Sequence, residues 1–393
     1  MITEYTPRSA ELMDDPYPIY RDIVAAGKPV FSPAADAWMY GEYELCVRAL
    51  ADGITYSVAR GVQLDDEEEL PIGIPLLTLT DPPEHTRLRR FMGNAFRANT
   101  VADFADDFRG NMRRAIDALD GATKLDLMQD LLLPWAIENS LTLLEVPEAD
   151  RPDLREWMGI YLNRERGVLG FTDAGNAALE HAMIYLAAVH LNALRKDGDT
   201  FMRRILRHEV DGERMSDPEA MGLLMTMAIV GAEDTARSFA NILYHQDRSL
   251  PADTGRELTE EQAYAVIDET IRHSPSTHYV RRTTTREVTE GGVTIPAGAK
   301  VLILFGAANR DPGVFTDPDT FDPARENAQR ALGFSRGAHS CLGIHVARLQ
   351  LLAGLEVLTE RTAGRDIDYD SGEWVHAMNI SGYQRLQGSI QWT

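Results

Sequence analysis

Apolar positions along this chain recur mostly at helical spacing. In "TVADFADDFRGNMRRAIDAL", Val101, Phe104, Phe108, Met112, Ile116 and Leu119 share one face with charged residues opposite, which predicts a long amphipathic helix. Leu45, Cys46, Ala49 and Leu50 in "YELCVRAL" predict a shorter helix that buries Cys46 as a small hydrophobe. The best-marked helix start is "TDPPEHTRLRRFM", with Asp81 as cap, Pro82 at the first position and Glu84 placed as in a capping box. Strand-like alternation is confined to short patches. Among them, "GGVTIPAGAKVLILF" predicts a hairpin around a Pro-Ala-Gly turn. The chain shows no repeat and no Gly/Ser linker. It also lacks the alternating βα units and the G-x-G-x-x-G of a dinucleotide or flavin fold. The pattern predicts a mainly α, helix-rich single domain over residues 1–393 with small accessory β-sheets.

Composition narrows the partners. Of 393 residues, 61 are acidic and 39 basic, a formal net charge of -22. Such a surface repels phosphate backbones and anionic lipid, so neither nucleic acid nor a membrane is an expected partner. The opening "MITEYTPRSAELMDDPYPIY" has no basic or apolar signal region, and "GLLMTMAIVGA" (Gly222–Ala232) is too short to span a bilayer. A cytoplasmic protein is expected. The one acidic run, "LDDEEEL" (Leu64–Leu70), reads as a solvated loop or as an attractor for a cationic substrate.

The two cysteines, Cys46 and Cys341, make no disulfide framework. Cys341 lies in "FSRGAHSCLG" (Phe334–Gly343), where Gly337 and Gly343 let the backbone approach closely. A lone cysteine cannot build a tetrahedral zinc site, but one thiolate suffices as the axial ligand of haem iron. As a set, the ten residues closely resemble the haem-binding loop of the cytochrome P-450 superfamily, Phe-Gly-x-Gly-x-His-x-Cys-x-Gly, with Ser335 in place of one glycine. "ETIR" (Glu269–Arg272) resembles the family's Glu-x-x-Arg, and "ANRDPGVFTDPDTFDPAR" its following segment, with Arg325 as the third member of that ion cluster.

The resemblance implies haem b (iron protoporphyrin IX), with Cys341 as the proximal iron ligand. It implies His85, Arg89, Arg282 and His339 as partners of the haem propionates, with neighbouring Arg281 the alternative to Arg282. On the distal side the family has a long helix with the pattern Ala-Gly-x-Asp/Glu-Thr, and "VGAEDTARSFANIL" resembles it in two registers. One keeps the acid–alcohol pair as Asp234 and Thr235. The other takes Gly231 and Glu233 and puts Asp234 at the alcohol position, and Ala236, Ala240 and Asn241 favour it. A threonine hydroxyl can donate a hydrogen bond to dioxygen under reduction, whereas an ionised aspartate only accepts. Glu233, Asp234 and Thr235 are the candidate catalytic residues.

The expected function is a monooxygenase that acts on a mid-sized small molecule with dioxygen, as soluble bacterial relatives do in secondary metabolism. Electrons would come from a ferredoxin and its NAD(P)H-dependent reductase, with Arg336 and Arg90 as candidate docking charges. The alternatives are oxidative coupling without oxygen insertion and, more remotely, a haem sensor or carrier. Family topology suggests a pocket lined from Gly61 to Leu79, Met225 to Thr235, Ser276 to Val280 and Met378 to Tyr383, with His278, Tyr279 and Asn379 among its polar groups.

Overall fold

The computed structural model describes residues 2–66, 74–165, 171–196, 198–249, 258–375 and 379–393. About 51% of the chain is helical, with small sheets. It forms two compact units. One comprises Met1–Arg87, Asp268–Leu342 and His376–Ser381, and the other Leu88–Ile267, Gly343–Val375 and Gly382–Thr393.

The first unit is built on a five-stranded sheet, ordered Val30–Ser32, Ala37–Tyr40, Lys300–Leu304, Tyr279–Thr284 and Tyr56–Ser57. Its central strand carries the apolar run of "KVLIL" because both faces are covered. Val301 and Ile303 pack with Tyr40, Tyr56 and Leu332, while Leu302 and Leu304 pack with Tyr5, Tyr20 and Tyr279. The expected hairpin forms elsewhere. Val293–Ile295 pairs backward with Val288–Glu290 across Gly291 and Gly292, and Lys300–Leu304 joins Ala37–Tyr40 and Tyr279–Thr284 instead. The two glycines sit at φ 53° and 76°, the left-handed conformations a tight hairpin turn demands.

Beneath the loops of this unit lies the Glu269 cluster. Glu269 and Arg272 are fully buried, and Arg272 donates to both carboxylate oxygens at 2.7 and 2.8 Å. Its remaining N–H groups reach the carbonyls of Asn309, Pro318 and Thr320. Arg325 donates to Glu269 at 3.3 Å and to the carbonyls of Thr316, Asp317 and Thr320. The expected ion cluster therefore forms, and it ties down the segment that leads into the cysteine loop.

In the second unit the helix Asp217–Arg248 runs 32 residues from a Ser216–Glu219 capping box. Its Phe239 meets Trp135 of the helix Leu133–Leu143 edge-on at 5.1 Å. Gly354, on the helix Ile344–Arg361, makes room for both rings: a Cβ there would lie 2.7 Å from each. The amphipathic segment forms as Ala98–Val101, a short 3-10 turn Ala102–Phe104, and Ala105–Asp117. Val101, Phe108, Met112 and Ile116 are buried as expected, while Phe104 and Leu119 are half-buried. By length and composition Asp173–Leu194 and Gly337–Arg361 could cross a membrane, but a third and a half of their apolar windows are buried in protein, as in a core helix.

The helix Glu84–Met92 starts two residues later than its capping signals suggest. The Asp81 carboxylate is drawn away to Ser57 Oγ and the Val58 amide, and Glu84 pairs with Arg87 rather than closing a capping box. In the acidic run Asp65 is exposed and Asp66 half-buried. Asp65 pairs with Arg8, and Asp66 accepts from the amides of Val62 and Gln63; residues 67–70 lie outside the described residues.

Candidate active site

The cysteine loop closes on itself through the Cys341 amide, which donates to the Phe334 carbonyl at 2.8 Å. Gly337, at φ 71°, lets the loop pass against the end of the helix Tyr43–Ala51; a Cβ there would fall 2.4 Å from the Leu50 carbonyl oxygen. Cys341 is exposed, and it stands just ahead of the helix Ile344–Arg361. Cys46 is buried, with its Sγ 3.2 Å from the Tyr40 carbonyl oxygen. Neither cysteine is in a disulfide.

Ser335 holds the glycine position of the loop at φ 57°, a left-handed conformation costly for a residue with a Cβ. Its buried Oγ has no hydrogen-bond partner among the described residues. Ser335→Gly is therefore expected to raise stability by about 1 kcal/mol, from relief of the left-handed strain and of a buried unsatisfied hydroxyl. Thermal unfolding of the apoprotein measures this, and a lower Tm would mean that the hydroxyl has a compensating role.

His339 meets His85 ring to ring at 4.1 Å, and His85 is almost completely buried. Arg89 is half-buried one turn further along His85's helix. Arg282 is 3% exposed, donates to the Arg281 carbonyl, and makes no ion pair among the described residues. Burial pulls its pKa down to about 10, with Asp81 acting in the opposite sense. It remains a cation inside the protein, with no carboxylate bound to it among the described residues. Arg281 is committed elsewhere: it donates to the carbonyls of Gln63, Leu64 and Asp66. An exposed thiol on a glycine-bearing loop, paired imidazoles and a buried guanidinium in want of an anion fit a haem with two carboxylates. No cluster of three metal-ligating side chains occurs among the described residues.

On the helix Asp217–Arg248 the three candidate residues part company. Glu233 is buried, and accepts from Arg164 at 3.3 Å on both oxygens and from Arg237 at 3.0 Å. Burial pushes its carboxyl upward, but the two guanidinium groups more than offset this and hold it below the usual glutamate range. Arg237 is fixed by the Tyr383 carbonyl and Gln384, and Arg164 lies 3.7 Å over the Phe171 ring. Thr235 is buried as well. Asp234 is only half-buried, and it shares a face with Met227, Val230 and Gly231, spaced seven, four and three residues before it. That face is the accessible one, and Val230 on it is 48% exposed. A small, wholly apolar cavity lies on the opposite face, against Met225, Ala228 and Ile229.

Several expected roles change. His278 and Tyr279 belong to the core: His278 packs against Tyr17 and Tyr20, its Nδ1 3.4 Å from the Tyr20 hydroxyl, and burial holds its pKa near 3. Asn379 is buried, while Met378 lies outside the described residues. Arg90 is engaged with Asp211 at 2.6 Å, and Arg336 is half-buried with a bond to the Gln329 carbonyl. Arg164 and Arg237 were not foreseen. Arg237 stands four residues after Glu233, a spacing that signals a pair on a helix.

The family model for cytochrome P450 matches residues 263–361. Cytochrome P450 107B1 of Saccharopolyspora erythraea is 30% identical over 344 residues, 83% of this chain and 82% of that protein. Cyclomarin C epoxidase CymV of Salinispora arenicola is 28% identical over 368 residues, 91% of this chain and 90% of its own. The structure of cytochrome P450 CYP109Q5 from Chondromyces apiculatus superposes with a TM-score of 0.85 at 23% identity, over 100% of both chains. This chain belongs to the cytochrome P450 family, and is a haem-iron oxidoreductase of the monooxygenase class.

Proposed function

We propose that the 393 residues form one haem-thiolate domain that oxidises a mid-sized secondary metabolite in the cytoplasm. The cofactor is haem b, and the electrons come from a ferredoxin and its NAD(P)H-dependent reductase. Cys341 is the iron ligand, and His85, Arg89, Arg282 and His339 receive the haem carboxylates. The observation that carries this reading is Arg282, a buried cation with no ion-pair partner of its own among the described residues, in the unit that also holds Cys341, His85 and His339. Bound there, haem supplies dioxygen activation, with the thiolate's electron density favouring O–O cleavage. The Salinispora arenicola relative, cyclomarin C epoxidase, supports a tailoring reaction.

Within this reading Glu233 is held ionised by Arg164 and Arg237 and serves as the acid of the distal pair. Asp234 takes the position of the alcohol, since it stands on the accessible face while Thr235 is buried. A carboxylate there accepts hydrogen bonds and does not donate them. That favours, as a second reading, hydrogen abstraction and bond coupling without oxygen insertion.

The test is a reconstitution with haem followed by turnover under isotope-labelled dioxygen. Label in the product supports insertion; an oxidised product without label supports coupling. Cys341→Ala is expected to abolish turnover and the long-wavelength Soret band of the reduced carbonyl complex. A variant that keeps that band would remove Cys341 as the iron ligand.

A further inference from the structure

Four helices of the second unit, Leu133–Leu143, Arg151–Leu162, Asp173–Tyr185 and Asp217–Arg248, line the small apolar cavity. It lies on the side of the last helix opposite Asp234. Met158, Met183, Met225 and Ile229 form part of its wall, together with Ala182 and Ala228. Both alanines are buried and stop at Cβ, where a longer side chain would fill the space. No polar atom of the described residues faces the cavity.

Size and chemistry together restrict the occupant. The walls leave about 20 Å³ for a water-sized sphere, against the roughly 10–15 Å³ that one water requires. That is far below the roughly 150 Å³ of a cavity that takes benzene, so a ring is too large. A buried water needs about two to four polar partners, and here it finds none, so the site stays dry. What fits is an uncharged molecule of one or two heavy atoms, held by dispersion alone. The thioethers of the wall are polarizable and unbranched, which favours dispersion and lets the wall adapt to an occupant. An apolar diatomic gas meets each condition, and dioxygen is the one that a monooxygenase consumes.

We propose that this cavity is a binding site for dioxygen, built from side chains of the second unit. The gas is held without a covalent bond, no electron or proton moves, and occupancy follows the dissolved concentration. The assignment does not depend on which residues receive the haem.

The experiment places the haem-loaded protein in its ferric state, which does not bind dioxygen, under equal pressures of dioxygen and of nitrogen. Nuclear relaxation of isotope-labelled methionine methyls is compared between the two gases, since dioxygen is paramagnetic and nitrogen is not. The Met158 and Met225 methyls are expected to relax several-fold faster under dioxygen. Met112 and Met202 are buried in the same unit away from the cavity, and should change little. Ala182→Val and Ala228→Val each fill the space and should remove the enhancement without lowering the melting temperature, because methyls added to a true void meet no overpacking. Where one of them fails to fold, the other carries the test. An enhancement at Met158 and Met225 no larger than at Met112 and Met202, or one that survives both fillings, would overturn the proposal. A reduced carbonyl spectrum without the thiolate band would sink the haem-thiolate reading and leave this one standing, since the two share no residue.

Discussion

Glu269→Ala is expected to destabilise the protein by about 3–5 kcal/mol, the cost of breaking a buried ion cluster by removing one partner. Arg272 and Arg325 would be left inside with carbonyl partners and no negative charge. Denaturant unfolding of the apoprotein measures the loss, and an effect below about 1 kcal/mol, the range of exposed pairs, would show that the cluster is solvated. Arg272→Lys should lose most of the same stability although charge is kept. A lysine ammonium cannot serve both carboxylate oxygens and three carbonyls in the arginine's planar geometry. Because these carbonyls belong to the segment that leads into the cysteine loop, haem uptake should fall together with stability in both variants.

The second large effect is expected at Glu233. Glu233→Gln keeps the shape but leaves Arg164 and Arg237 buried against a neutral amide, at a cost of about 3 kcal/mol or more. The pH dependence gives an independent readout. The folded-state pKa of Glu233 lies below its ordinary value of 4.5, so its contribution is fully present above that value and is lost as pH falls through the folded-state pKa. The wild-type protein should therefore lose stability more steeply than the variant below about pH 4.5, and their unfolding free energies should converge in acid. Parallel curves would mean that the two arginines do not hold the glutamate ionised. In turnover assays, oxygen consumption uncoupled from product should rise in the variant, because the proposed function makes Glu233 the acid of the distal pair.

What could be read from the sequence follows from how local each signal is. The cysteine loop was legible because its chemistry lies in ten contiguous residues, and Glu269–Arg272 because three residues make nearly one helical turn. The cluster on Glu233 was half legible. Arg237 stands at i+4, but Arg164 comes from 69 residues upstream and nothing in the chain announces it. The register of the distal motif could not be settled by matching letters. Asp234 is half-buried and Thr235 buried because of which side of the helix is covered, a property of the neighbours rather than of the motif. Asp81 misled because a capping residue serves whichever amides come nearest, and Val58 and Ser57 lie within reach. The hairpin misled for a related reason: turn residues show where a chain reverses and leave open which strand it then joins.

Arg281 and Arg282 occupy consecutive positions of the strand Tyr279–Thr284, and consecutive side chains of a strand leave opposite faces. One anchors the carbonyls of Gln63, Leu64 and Asp66, and the other is the buried cation that the proposed function assigns to the haem. A one-residue insertion or deletion within this strand would exchange the two faces while leaving the composition, charge and backbone pairing capacity of the segment intact. The strand can tolerate changes of side chain far better than changes of length. Length variation among descendants of this sequence should therefore collect in the Gly291–Gly292 turn beyond it, where an added residue shifts neither arginine.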